Sequence, residues 1–151
     1  MENKLVVAVA SSALFDLTES DRIYREQGKD AYREFQRARE HETLLRGVAF
    51  PFVKRLLALN EPGAEPAVEV ILLSRNDADT GLRVMNSIEK HRLGISRAAF
   101  VAGETPWKYI AAFGASLFLS ANERDVREAI VAGHPAGLVL ESVLNSDDKD
   151  E

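Results

Sequence analysis

Leu5-Val6-Val7-Ala8-Val9-Ala10-Ser11-Ser12 begins with six apolar residues in a row and ends on two hydroxyls. A strand with one face in water alternates apolar and polar side chains, whereas a strand buried on both faces reads as a continuous apolar run. The stretch therefore fits a strand buried on both faces, as in a parallel sheet. Parallel neighbours need long crossover connections, usually helices. The rest of the chain supplies that alternation. Residues 68–73 form a second apolar run broken only by Glu69, and residues 97–102, 116–119 and 137–140 predict three further strands.

The intervening segments read as helices. Residues 18–42 are polar and helical, with Ile23, Tyr24, Tyr32 and Phe35 as a sparse apolar face and Gly28 dividing them into two helices. Residues 50–59 predict a third helix, with Pro51 tolerated in its first turn. Residues 80–91 place Leu82, Val84, Met85 and Ile88 mostly on one face. A further helix is expected to begin near Thr105-Pro106-Trp107, and a last one spans residues 123–132. Strands alternating with helices from end to end predict an α/β fold: three layers around a five-stranded parallel sheet.

The chain length of 151 residues suits one domain, here residues 1–142, with residues 143–151 as an acidic, disordered tail. A formal net charge of -5 argues against a dedicated nucleic-acid binder, which needs a basic excess to neutralise phosphates. It leaves room for a small anionic ligand held by a few local groups. The absence of cysteine removes disulfides, thiolate metal sites and cysteine nucleophiles. No apolar stretch is long enough for a membrane span, and Glu2 suits a signal peptide poorly, so a cytoplasmic protein is expected.

Ligands of open α/β sheets bind beyond the carboxyl ends of the strands. Those ends carry Ala10-Ser11-Ser12-Ala13, Ser74-Arg75-Asn76-Asp77, Gly103-Glu104-Thr105-Pro106-Trp107-Lys108 and Ser120-Ala121-Asn122. The layout resembles that of haloacid-dehalogenase-like phosphatases. Such enzymes carry D-x-D after the first strand, a hydroxyl after the second, a lysine on a later helix, and acids after the fourth strand. By that resemblance Ser74 fits the hydroxyl station and Lys108 the lysine station, with Arg75 and Asn76 as further phosphate-binding candidates. The nucleophile station holds Ala10 and Ser12, neither of which can form an aspartyl-phosphate. Ser120 and Asn122 are neutral where Mg²⁺ would want anionic ligands. Asp16 and Asp125 lie a few residues further on and are expected to be turned away from the strand ends.

Longer segments narrow the resemblance. Ala8-Val9-Ala10-Ser11-Ser12-Ala13-Leu14-Phe15, Ile23-Tyr24-Arg25-Glu26-Gln27-Gly28, Ala49-Phe50-Pro51-Phe52-Val53-Lys54 and Ser74-Arg75-Asn76-Asp77-Ala78-Asp79-Thr80-Gly81 are similar to the cytosolic type I 5'-nucleotidases. Val84-Met85-Asn86-Ser87-Ile88 and Leu119-Ser120-Ala121-Asn122 continue the match. The resemblance implies a haloacid-dehalogenase-like fold with a cap-like helical insert at about residues 18–48. It also implies nucleoside monophosphate substrates and Mg²⁺. The family's two halves carry the D-x-D carboxylates in the second, and this chain resembles the first.

Each nominated residue also has a plain structural reading. Ser74 serves equally as a turn hydroxyl, and Lys108 as a surface lysine. His41 could touch a base or ribose from the insert, or simply end a solvated helix. Phe50, Phe52 and Trp107 could stack on a nucleobase, or belong to the core. The leading expectation is a non-catalytic nucleotide- or phosphate-binding half-domain, with a catalytic partner chain or self-association supplying any turnover. An active Mg²⁺-dependent 5'-nucleotidase acting on AMP, IMP or GMP, and a pure interaction scaffold, are the alternatives.

Overall fold

The computed structural model describes residues 4–95 and 97–140, apart from the side chains of residues 78–80. The expected tail at residues 143–151 lies outside the described residues. Five parallel strands form one sheet: β1 (Leu5–Ala10), β2 (Val68–Ser74), β3 (Arg97–Phe100), β4 (Leu117–Ser120) and β5 (Ala136–Leu138). Their order is β3-β2-β1-β4-β5. The apolar run quoted first is thus the central strand. It pairs with β2 from Leu5↔Val68 to Ala10↔Leu73, and with β4 through Val7↔Leu117 and Val9↔Leu119. Every β1 residue after Leu5 is buried, as a strand covered on both faces must be.

Helices cover the two faces unequally. On one face Leu14 and Phe15, Phe50 and Val53 of α4 (Phe50–Leu57), and Val84 and Ile88 of α5 (Ala78–Lys90) pack on Val7, Val9, Val70 and Leu72. On the other, Ile110 and, from α6 (Glu123–Val131), Ala129 meet Val6, Ala8, Ile71, Leu73 and Phe118 of the sheet. The helix expected near Thr105 is a four-residue 3-10 turn, Pro106–Tyr109. Ile110 must drop into the core there, and Gly114 at φ 66° turns the chain back so that Ser116 N can donate to Val6 O (2.8 Å).

A one-turn helix, α1 (Ser11–Leu14), follows β1, and then two helices stand as an insert before α4. They are α2 (Thr18–Gln27) and α3 (Lys29–Ala38), divided at Gly28 with φ 91°, a left-handed value that favours glycine. The insert rests on α5 through a set of polar contacts, with Leu44 behind them in the same apolar cluster as Val84 and Ile88. Arg83 donates to Gln36 Oε1 (3.1 Å) and to Glu42 O (2.9 Å), and Asn86 donates to Glu40 O (2.8 Å). Ser87 Oγ accepts from Leu44 N (2.9 Å). Gln36 and Arg83 are both buried, and burial pushes the Arg83 guanidinium below its ordinary pKa. Two consecutive insert residues also reach two consecutive residues after β2. Tyr32 donates to Asn76 Oδ1, and Arg33 to Asp77 Oδ2 at 2.8 Å.

Candidate functional site

Sequential strands β1, β2 and β3 step one way from the centre of the sheet and β4 and β5 the other, so β1 marks the switch point where such sheets open a crevice. A cavity of about 550 Å³ lies there. Ala10, Ser11 and Ser12 form its floor beyond β1, Leu73, Arg75 and Asn76 come from the end of β2, and Ala121, Asn122 and Asp125 from the end of β4. Its remaining wall is built by an antiparallel pairing of the chain after α1 with the chain before α4. Asp16 N donates to Leu45 O, Gly47 N to Leu14 O and Ala49 N to Ala13 O, each at 2.9 Å. That pairing is tight: a Cβ on Gly47 would stand 2.6 Å from Ala13 O, which only glycine avoids.

The floor is locked by hydroxyls. Ser74 is fully buried, and its Oγ lies 3.1 Å from Ser11 Oγ while accepting from Asn76 N (3.2 Å) and Asn76 Nδ2 (3.1 Å). Ser120, also fully buried, accepts from Asn122 N (3.0 Å), and Asn122 Oδ1 accepts from Asp125 N (3.1 Å) as the cap of α6. Above them Arg75 Nε donates to Asp125 Oδ2 (3.0 Å), Nη2 to Asp125 Oδ1, and Nη1 to Gly103 O (3.1 Å). The Asp125 hydrogen bonds hold the Arg75 guanidinium above its already high pKa, against a smaller opposing effect of burial. Arg46 adds a second guanidinium to the lining, and Asp16 and Asp21 two more carboxylates. Asp16 Oδ1 accepts from Thr18 N (3.0 Å) and Thr18 Oγ1 (2.5 Å). Burial raises the Asp21 pKa, partly offset by Arg25.

Of the residues nominated from sequence, Arg75 and Asn76 line the cavity together with Ala10 and Ser12. Ser74 lies beneath the lining with its oxygen taken by the turn. Lys108 is exposed on the 3-10 turn and is not among the lining residues. The nucleobase candidates are dispersed. The His41 side chain is 84% exposed beside Glu40, Phe52 is exposed, and Phe50 is in the core 4.9 Å from the His91 ring. Trp107 packs on the second core face, its ring 6.4 Å from that of His134. The expectation that Asp16 and Asp125 turn away is corrected, since both line the cavity. The signal was available: α6 starts where β4 ends, so its first turn, Asp125 included, overhangs the strand's carboxyl end.

The 5'-nucleotidase family model matches residues 1–151 of this chain. The chain belongs to the 5'-nucleotidase family. Cytosolic 5'-nucleotidase 1B of Homo sapiens is 32% identical over 138 residues, which cover 87% of this chain. Those residues span 23% of that relative, less than a quarter of its length. No solved structure matches significantly. In the structure the family membership goes with an all-parallel, haloacid-dehalogenase-like sheet. Membership also implies a divalent metal, and the donor set at the strand ends does not fit one. Among the described residues no three acidic or imidazole side chains are placed to hold an ion. Ala10 and Ser12 offer no carboxylate, Ser120 and Asn122 are committed to turn and cap hydrogen bonds, and both oxygens of Asp125 face Arg75.

Proposed function

We propose that this chain is a non-catalytic member of the 5'-nucleotidase family, binding a nucleoside 5'-monophosphate, or phosphate itself, in the cavity at the switch point. Phosphate contact is assigned to Arg75, which lines the cavity; Asn76 lines it too, with its side chain held by Ser74 and Tyr32. The observation that carries the reading is the composition of the floor: a preformed cavity at the strand ends, where open α/β sheets bind their ligands, with Ala10, Ser11 and Ser12 and no nucleophilic carboxylate after β1. Turnover would then require a catalytic partner chain or a second copy. A cytoplasmic location is proposed from the name of the human relative. Among the described residues no helix is long and apolar enough to cross a membrane.

Family membership itself favours a second reading, an active Mg²⁺-dependent 5'-nucleotidase. One experiment separates the two: AMP, IMP and GMP with Mg²⁺, following phosphate release and the thermal midpoint in the same samples. The expected result is no release, with a midpoint raised by roughly 5–10 °C at a ligand concentration near 100 times Kd. Ala121→Trp fills the cavity from an exposed lining position and is expected to abolish that shift while leaving the unliganded midpoint within about 2 °C. Mg²⁺-dependent release that persists on repurification and is lost in Ala121→Trp would establish the enzyme instead.

A further inference from the structure

Asp125 is a problem that the fold has already solved. Its side chain is only 4% exposed, and a carboxylate so placed requires a cation beside it. In a metal-dependent phosphatase an ion could meet that need. Here Arg75 does: Nε and Nη2 face the two Asp125 oxygens, and Nη1 is fixed to Gly103 O. A guanidinium carries five N–H donors, so five less these three leaves two, one on Nη1 and one on Nη2, without a protein acceptor among the described residues. The Arg75 side chain is 41% exposed and lines the cavity, so its unclaimed donors are open to a ligand. A planar fork with paired N–H groups matches the oxygens of a phosphate, which a point cation does not.

We propose that Arg75 is the resident cation of this site: held by Asp125, its guanidinium takes the place of a divalent metal and binds the phosphate of a nucleoside monophosphate without one. The inference rests on the nucleotide-binding reading above and adds to it the group that binds and the independence from metal. Asp125 is a positioning residue in this arrangement, setting the plane of the guanidinium and claiming the edge that a bare carboxylate would offer to Mg²⁺. Arg46 also lines the cavity, from the antiparallel pairing with Phe15, and its guanidinium lies over the Phe50 ring.

The test is titration calorimetry of the full chain with AMP, once in EDTA and once in excess Mg²⁺. The expected result is a Kd that agrees within about twofold between the two conditions, and that weakens at least about tenfold in both for Arg75→Ala. Because Arg75→Ala leaves Asp125 buried without its cation, the double variant Arg75→Gln/Asp125→Asn is measured beside it. That pair keeps hydrogen-bonding side chains and removes both charges, so a folded double variant with lost affinity assigns the loss to the guanidinium rather than to unfolding. AMP binding that requires Mg²⁺ would overturn the inference and leave the nucleotide-binding reading standing. Undiminished affinity in a folded Arg75 variant would overturn it as well. Absence of AMP binding by the wild-type chain in both conditions would overturn the proposed function, and this inference with it.

Discussion

Two turns flank the central strand and share a sequence pattern, Ser74-Arg75-Asn76 after β2 and Ser120-Ala121-Asn122 after β4. In both, a fully buried serine hydroxyl accepts the backbone N–H of the asparagine two residues on, at 3.2 and 3.0 Å. There the likeness ends. Asn122 turns its side chain inward along the chain and caps α6, a contact three residues away. Asn76 turns its side chain to Ser74 and to Tyr32 of the insert, 44 residues away. The middle positions differ in charge, and Arg75 spans to Asp125, 50 residues on, a bond that the methyl group of Ala121 cannot make. One local geometry thus closes a strand-to-helix junction in one place and joins three separate elements in the other.

The sharpest way to break the comparison is at the middle residue. Arg75→Ala strands the Asp125 carboxylate in a nearly dry position and is expected to cost about 2–4 kcal/mol in urea-induced unfolding. The reciprocal Ala121→Arg, at an exposed position, should stay within about 0.5 kcal/mol. Equal costs would mean that the Arg75–Asp125 pair stabilises nothing. At the serines the gap narrows. Ser74→Ala removes three hydrogen-bond contacts and should cost about 2 kcal/mol, against about 1 kcal/mol for Ser120→Ala, which removes one. The asparagines separate by location more than by size. Asn122→Ala should cost about 1 kcal/mol as a lost cap, whereas Asn76→Ala should show itself as faster hydrogen exchange in α3 with α6 unchanged.

The same contrast marks what the sequence could reveal. The run 5–10 is enough to make β1 a strand covered on both faces, because such burial writes itself into consecutive residues; its central place appears only in the strand order. Gly28 likewise announces the break between α2 and α3. The Ser-x-Asn turns are legible too, since their hydrogen bonds close within two or three residues. What the sequence hides is each bond that closes over 40 or 50 residues, which follows no local period. Asp125 is the instructive case: it reads as one more acid in a helix's first turn, and only Arg75 makes it part of a site. Ser74 and Lys108, nominated by resemblance to a phosphatase layout, stand respectively beneath the cavity and outside its lining.

The insert's seating on α5 has a kinetic consequence. Swinging α3 away would orphan the buried Arg83 guanidinium and release Gln36, Glu40, Glu42, Tyr32 and Arg33 from their partners together. At roughly 1 kcal/mol or more for each lost bond, such an opening is populated in fewer than about one molecule in a thousand. With the insert held this firmly, a ligand is expected to meet a cavity that is already formed. In stopped-flow mixing the observed rate should climb linearly with nucleotide concentration, with no plateau at which the protein itself becomes the slow partner.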